Sequence, residues 1–483
     1  MSYSQNEKDK FFEAVDSLKK YRRAEIVDES GKDLVDALYT DLLPNEQILK
    51  TCLTDNTTFL IGRKGTGKST IFLKLQREYR KRNDVLSCYI DTKTIFESSQ
   101  TEFLGIEHFG EVMPNEALKQ YILERSFLQS ILRSLTEEIQ ERSEGLLGKI
   151  KNFLGIGEAQ IVKEKLRELT SSINNNELLK KIEIPSLQQI TVARKSFTER
   201  SNETALNEND SIGGKVQRAE VEMEASLSSN KMNKSSRKNI SELEEQFSNV
   251  FLKVFQIKNF ISQLREVLST LRIRSLVVLL DDFSEIPDHS MRIFVDVILS
   301  PLNNWSQDFI KFKVAAYPNR IYYGKIDQGK IDKINLDFYN LYSTRVDRSV
   351  MEDKALNFTK RLIEKRVKYF TNQPVELFFD IRKESIEEYY ELIFQISMNV
   401  PRIIGYILYY CYESKIAYGN SINRAALTDA AEKYYELAIE PFFQSTTYSL
   451  KSIDEKISIL QMRELLNGNL EKLFQERLKL RLL

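Results

Sequence analysis

The sequence predicts an α/β protein built on a parallel sheet, and three stretches carry that prediction. Thr57-Thr58-Phe59-Leu60-Ile61 is β-branched and apolar, as a strand requires. The glycine-rich run Gly62-Arg63-Lys64-Gly65-Thr66-Gly67-Lys68-Ser69 follows without a gap. After it, Ile71, Phe72, Leu75 and Tyr79 fall at helical spacing. Far downstream, Leu276-Val277-Val278-Leu279-Leu280 is a continuous apolar run ending in Asp281 and Asp282. Strands covered on both faces of a parallel sheet read in this way.

The glycine-rich run satisfies G-x-x-x-x-G-K-[ST]. Glycines let the backbone curl so that successive N–H groups point at an anion. Gly62, Arg63, Lys64, Gly65, Thr66, Gly67, Lys68, Ser69 and Thr70 are the candidate phosphate-binding residues. Lys68 would reach the β- and γ-phosphates of a nucleotide, and the Ser69 hydroxyl would ligate Mg²⁺. The helix that follows would aim its N-terminal dipole at the same phosphates. Asp281, at the carboxyl end of its strand, is the second candidate metal residue. Asp282 stands where a water-polarising carboxylate is expected, and Glu285 is the alternative base.

Composition narrows the remaining possibilities. A chain of 483 residues suggests two to four domains of roughly 100–200 residues. Lys plus Arg and Asp plus Glu both number 70, so no overall basic field advertises nucleic acid. The densest basic cluster, Arg77-Glu78-Tyr79-Arg80-Lys81-Arg82, reads first as the cationic last turn of a helix. Cys52, Cys88 and Cys411 are odd in number and scattered, which fits a reducing compartment. His108 and His289 are the only histidines, so a zinc site is not expected. The first twenty residues are polar, and the apolar stretch Ile403–Cys411 is too short to span a bilayer. The expectation is a cytoplasmic protein without membrane contact.

In chain order, residues 1–50 read as an N-terminal helical arm. Within it Leu38-Tyr39-Thr40-Asp41-Leu42-Leu43-Pro44 is either a packing arm or a cover for a nucleotide base. Residues 51–100 form the first part of the core, with a second strand at Val85–Ile90. Residues 101–240 read as a helical insertion with a β-hairpin suggested by Ile190, Val192 and the alternation over Ala219–Leu227. The separation from Lys68 to Asp281 is 213 residues, longer than a minimal domain of this kind needs. A helix over Ile240–Leu271 leads into residues 241–350, the second part of the core.

That part continues with a strand over Phe309–Arg320. Asn319, or else Tyr317, lies where a residue would sense the γ-phosphate. A further strand is expected over Lys333–Tyr342, leading to Arg345 and Arg348, either of which would serve as an arginine finger on a neighbouring subunit. Residues 351–445 read as a helical lid, with Pro401 opening a helix and Arg402 in its first turn as a second sensor. Residues 446–483 are a charged helical tail.

With these pieces in order, the sequence resembles AAA+/STAND-type P-loop ATPases, and among them bacterial ATPases related to the origin-recognition clade. The residues carrying the resemblance are Leu38–Pro44, Thr58–Thr70, Leu279-Leu280-Asp281-Asp282 and Val400-Pro401-Arg402. The resemblance implies a RecA-like P-loop core, a helical lid, ATP with Mg²⁺, and assembly into a homo-oligomer controlled by nucleotide. Lys68, Asp281, Asp282, Glu285, Asn319 and Arg402 would be its catalytic set. Several bacterial relatives look like components of anti-phage defence or DNA transactions. Protein partners would dock through the insertion or the tail. The sequence departs from the family at Asp282, where Glu is usual, and it lacks a visible C-terminal winged helix. The alternatives are a nucleotide-binding scaffold that barely hydrolyses ATP and a DNA-dependent ATPase or loader.

Overall fold

The computed structural model describes residues 3–19, 34–101, 115–145, 156–174, 257–343, 350–441 and 459–481. The expected hairpin, the part of the Ile240–Leu271 helix before residue 257, Arg345 and Arg348 lie outside these residues. The chain divides into two compact units. One comprises residues 47–62 and 71–335, and the other residues 1–46, 63–70 and 336–483.

The first unit is built on five parallel strands: β1 Thr57–Ile61, β2 Val85–Asp91, β3 Ser275–Asp281, β4 Ile310–Ala316 and β5 Ile331–Asn335. Their order across the sheet is β2-β3-β4-β1-β5. All five residues of β1 are buried, which explains its unbroken β-branched and apolar sequence.

Helices from the long segment between β2 and β3 share the core of this sheet. Phe127, Ile131 and Leu135 of the helix Asn115–Gly145, and Leu166 of Ile156–Asn174, belong to one apolar cluster with Phe59, Leu86 and Leu280. Polar contacts also hold the longer helix to the sheet unit. Arg142 donates to the carbonyls of Val85 and Arg82, and Glu138, 2% exposed, receives both Arg80 and Arg142. The basic run at the end of the helix after the glycine-rich loop is thus largely paired within the protein: Arg80 with Glu138 and Glu141, Lys81 with Glu78, Arg82 with Asp84.

Beyond β5 the structure departs from the expected strand over Lys333–Tyr342. The strand is Ile331–Asn335, and Phe338–Ser343 is helical. Leu341 donates its N–H to the Asp337 carbonyl, and Phe338, Leu341 and Tyr342 fall at helical spacing. Their aromatic content, which favours strands in isolation, is outweighed by burial of Leu341 and Tyr342. The expected Phe309–Arg320 strand is shorter as well. It stops at Ala316, before Pro318, which has no N–H to give a ladder.

The middle of β4 carries a buried charge. Lys313 has no exposed surface, and its Nζ donates to the carbonyls of Thr54 and Asn56 and to the Thr58 hydroxyl. Three donors meet three acceptors, pinning the turn before β1 to the sheet. Burial away from water pushes its pKa down to about 8. The native lysine therefore sheds its proton before an unfolded one does, near 10.5. Wild type should gain unfolding free energy relative to Lys313→Met as pH rises from 8 to 10.5, measured by urea denaturation. Equal pH dependence in the two proteins would show that the fold leaves this lysine unperturbed.

The second unit is helical. The N-terminal helix Gln5–Lys19 packs on Met351–Thr371 and Pro401–Ser414. A Cβ at Gly405 would stand 2.7 Å from the Cβ of Leu18, so glycine is needed where these two helices touch. The buried Arg366 donates to the carbonyl and hydroxyl of Ser17. The N-terminal helix is therefore part of the same core as Met351–Thr371 and Pro401–Ser414. Among the described residues no single helix is long and apolar enough to cross a membrane.

Candidate functional site

The glycine-rich loop has the backbone its sequence predicts. Gly65 and Gly67 both sit at φ +89°, a region that side-chain-bearing residues avoid. Gly62, the first residue after β1, donates its N–H to the Ala316 carbonyl at 3.0 Å. The helix Lys68–Arg80 begins at the motif lysine, so its first turn contains Lys68, Ser69 and Thr70. Inside the loop the Arg63 carbonyl is the gathering point. It accepts from the Thr66 hydroxyl at 2.8 Å, the Thr66 N–H at 3.3 Å and Lys68 Nζ at 3.0 Å. Arg63 itself pairs with Asp337 at 2.6 Å, across 274 residues of sequence.

Arg402 stands against this loop. Its N–H approaches the Gly65 carbonyl at 3.4 Å, and a Cβ on Gly65 would lie 2.8 Å from the Arg402 Cβ. Helix Pro401–Ser414 is aimed by the turn before it, where Met398 and Asn399 both have positive φ. Asn399 is 1% exposed, accepts from Thr359 at 2.6 Å and donates to the Ala355 carbonyl at 2.9 Å. A buried amide thus fixes the residue pair that delivers Arg402.

The segment Leu38–Pro44 borders a cleft of about 430 Å³ in the same helical unit, lined in part by Tyr39, Asp41, Asn45, Arg361, Lys365 and Lys368. Lys365 and Arg361 reach the carbonyls of Tyr39 and Asp41, and Tyr342 reaches that of Leu42. The cleft falls in the size range of small-molecule sites.

At the carboxyl edge of the sheet, Asp281 is 3% exposed. Its Oδ1 accepts the Asp282 N–H at 3.0 Å, and its Oδ2 accepts the hydroxyl of Tyr89 on β2. Asp282 is exposed and adopts φ +50°, a strained conformation for a non-glycine residue. Glu285 accepts the Tyr317 hydroxyl, while Ser284 donates to the Arg320 carbonyl and accepts the Tyr317 N–H at 2.9 Å. Burial and the neighbouring Glu285 carboxylate hold the Tyr317 phenol well above its ordinary pKa, so it remains a donor. Of the two residues weighed as a γ-phosphate sensor, Tyr317 joins this network. Asn319 is exposed, with φ +62°, in the turn beyond. Tyr89 was missed because its contact with Asp281 spans 192 residues.

Among the described residues no cluster of three His, Cys, Asp or Glu side chains forms a metal cage. The buried carboxylate of Asp281 has the chemistry of a ligand for a cation such as Mg²⁺, which keeps most of its shell as water and phosphate oxygens. No protein-family model matches the chain, and no curated protein matches it.

The two loop glycines should respond differently to alanine. Gly67→Ala meets open space and bears only the left-handed backbone cost, about 1–2 kcal/mol. Gly65→Ala adds a collision with Arg402. Hydrogen exchange should quicken across residues 400–408 in Gly65→Ala and stay near wild type in Gly67→Ala. Equal protection in both variants would refute the close packing of Gly65 against Arg402.

Proposed function

We propose that this chain binds ATP with Mg²⁺ and works as a nucleotide-dependent switch with a P-loop core. The carrying observation is a G-x-x-x-x-G-K-[ST] loop that leaves the carboxyl end of β1 with two left-handed glycines and opens a helix at Lys68. Parallel pairing adds support. β4 alone separates β1 from β3, so Gly62 and Asp281 leave the same sheet edge two strand spacings apart, about 10 Å. That spacing leaves room for a phosphate chain, in the crevice where open α/β sheets bind ligands.

The residues divide the work as follows. Loop N–H groups and Lys68 hold the phosphates, and Ser69 with Asp281 serves the cation. The cation, when bound, neutralises charge on the β- and γ-phosphates. Phosphate would draw Lys68 away from the Arg63 carbonyl, loosening the hydrogen bonds gathered there. Because Gly65 touches Arg402, a change in loop shape would be felt by helix Pro401–Ser414. Subunit assembly or partner binding would read that movement. The internal pairing of Arg80, Lys81 and Arg82 disfavours the DNA-dependent alternative.

Lys68→Ala should weaken ATP binding at least tenfold by calorimetry. Light scattering of wild type should show a mass change between ADP and a non-hydrolysable ATP analogue. Unchanged ATP affinity in the variant would sink the assignment. One observation favours a second reading, a scaffold that scarcely hydrolyses ATP: the Asp282 side chain is one methylene shorter than the usual Glu, and Glu285 is engaged by Tyr317. If the switch hydrolyses ATP, Asp282→Asn should cut turnover about 100-fold with ATP binding retained. Turnover unaffected by both Asp282→Asn and Glu285→Gln would favour the scaffold.

A further inference from the structure

Tyr89 lies on β2 directly beside the acidic strand, in a register that sets Tyr89 against Leu279 and Asp91 against Asp281. Its phenol reaches diagonally to Oδ2 of Asp281. Diagonal neighbours on paired strands are within reach of long aromatic side chains. The ring is held where it is. Phe72 meets it edge-on, with centroids 6.4 Å apart and planes at 83°, and Tyr89 keeps only 9% exposure. Its backbone N–H is taken by Ser134 of the helix Asn115–Gly145 at 3.2 Å.

Asp281 is therefore gripped at both oxygens, by the Asp282 N–H at Oδ1 and by Tyr89 at Oδ2. A carboxylate offers about four lone-pair sites, so two such bonds leave one further site on each oxygen. They also fix the rotation of the carboxylate plane. We propose that Tyr89 is the positioning residue of the cation site: it orients Asp281 toward Mg²⁺ or its bound waters while the second lone pairs stay free to receive them. The inference rests on the reading of Asp281 as the cation carboxylate. Outer partners of this kind typically alter metal affinity 10- to 100-fold when removed.

A phenol that merely satisfies a buried carboxylate would influence stability and leave the cation requirement alone. The test separates the two roles. Binding of a fluorescent ATP analogue is followed as free Mg²⁺ is titrated, for wild type, Tyr89→Phe, Asp281→Asn and the double variant. Tyr89→Phe keeps the ring on Phe72, and a thermal melt checks that it is folded. We expect about a tenfold rise in the Mg²⁺ concentration at half-effect in Tyr89→Phe, with analogue affinity in EDTA unchanged. In the Asp281→Asn background the Tyr89 substitution should add no further shift. A Tyr89→Phe titration superimposable on wild type overturns the positioning role while leaving the Mg-ATP reading intact. Mg²⁺-independent binding in wild type, or identical curves for wild type and Asp281→Asn, overturns the cation reading and this inference with it.

Discussion

Parallel pairing of β1 with β4, and of β4 with β3, is the constraint on which the sheet unit depends. It sends every strand's carboxyl end to one edge, so residues far apart in sequence emerge side by side. Asp91, Asp281, Tyr317 and Gly62 stand at or just past the ends of β2, β3, β4 and β1, in that spatial order. The same pairing requires both faces to be covered, because a parallel sheet has no solvated side. Helices from the segment between β2 and β3 meet part of that requirement, which is why they share the apolar cluster of the strands.

The second organising feature is tension between rigidity and strain around the loops. Glycines at φ +89°, Asp282 at φ +50° and Asn319 at φ +62° lie in loops that follow strand ends. Such conformations persist only where the surroundings overdetermine them. The surroundings here are specific. Gly62 is tied to the Ala316 carbonyl, and Ser284 is tied to Tyr317 and to the Arg320 carbonyl. In the helical unit the paired left-handed residues Met398 and Asn399 are held in the same manner, by the buried Asn399 amide.

Local sequence carried the elements whose signal is local. β1 coincides with the run Thr57–Ile61, and β3 begins one residue before its expected start, because burial on both faces leaves an unbroken apolar string. The helix Pro401–Ser414 was legible for a different reason: proline fits the first turn of a helix and opens this one. The loop glycines were legible because glycine takes up φ +89° without the strain a side chain would bring. What escaped depends on tertiary pairing. Asp337 as the partner of Arg63, Tyr89 as the partner of Asp281 and Lys313 as a buried clamp lie 274, 192 and 259 residues from groups they bind. No periodicity encodes such separations. The expected strand over Lys333–Tyr342 holds only to Asn335 for the same reason, since burial of Leu341 and Tyr342 decides what intrinsic preference does not.

The strand order also dictates what a ribosome must cope with. β1 and β2 are synthesised early, yet they do not pair with each other. β2 waits for β3, which begins at Ser275, and β1 waits for β4 and β5, which begin at Ile310 and Ile331. Two strands of largely buried residues therefore leave the exit tunnel with every ladder partner still unmade. Unsatisfied strands of this kind recruit wrong neighbours. The intervening helices, which draw on the same apolar cluster, are native cover for β2 that the nascent chain can offer before β3 exists. A segment that looks like an insertion in the finished protein is thus the natural escort of the growing one.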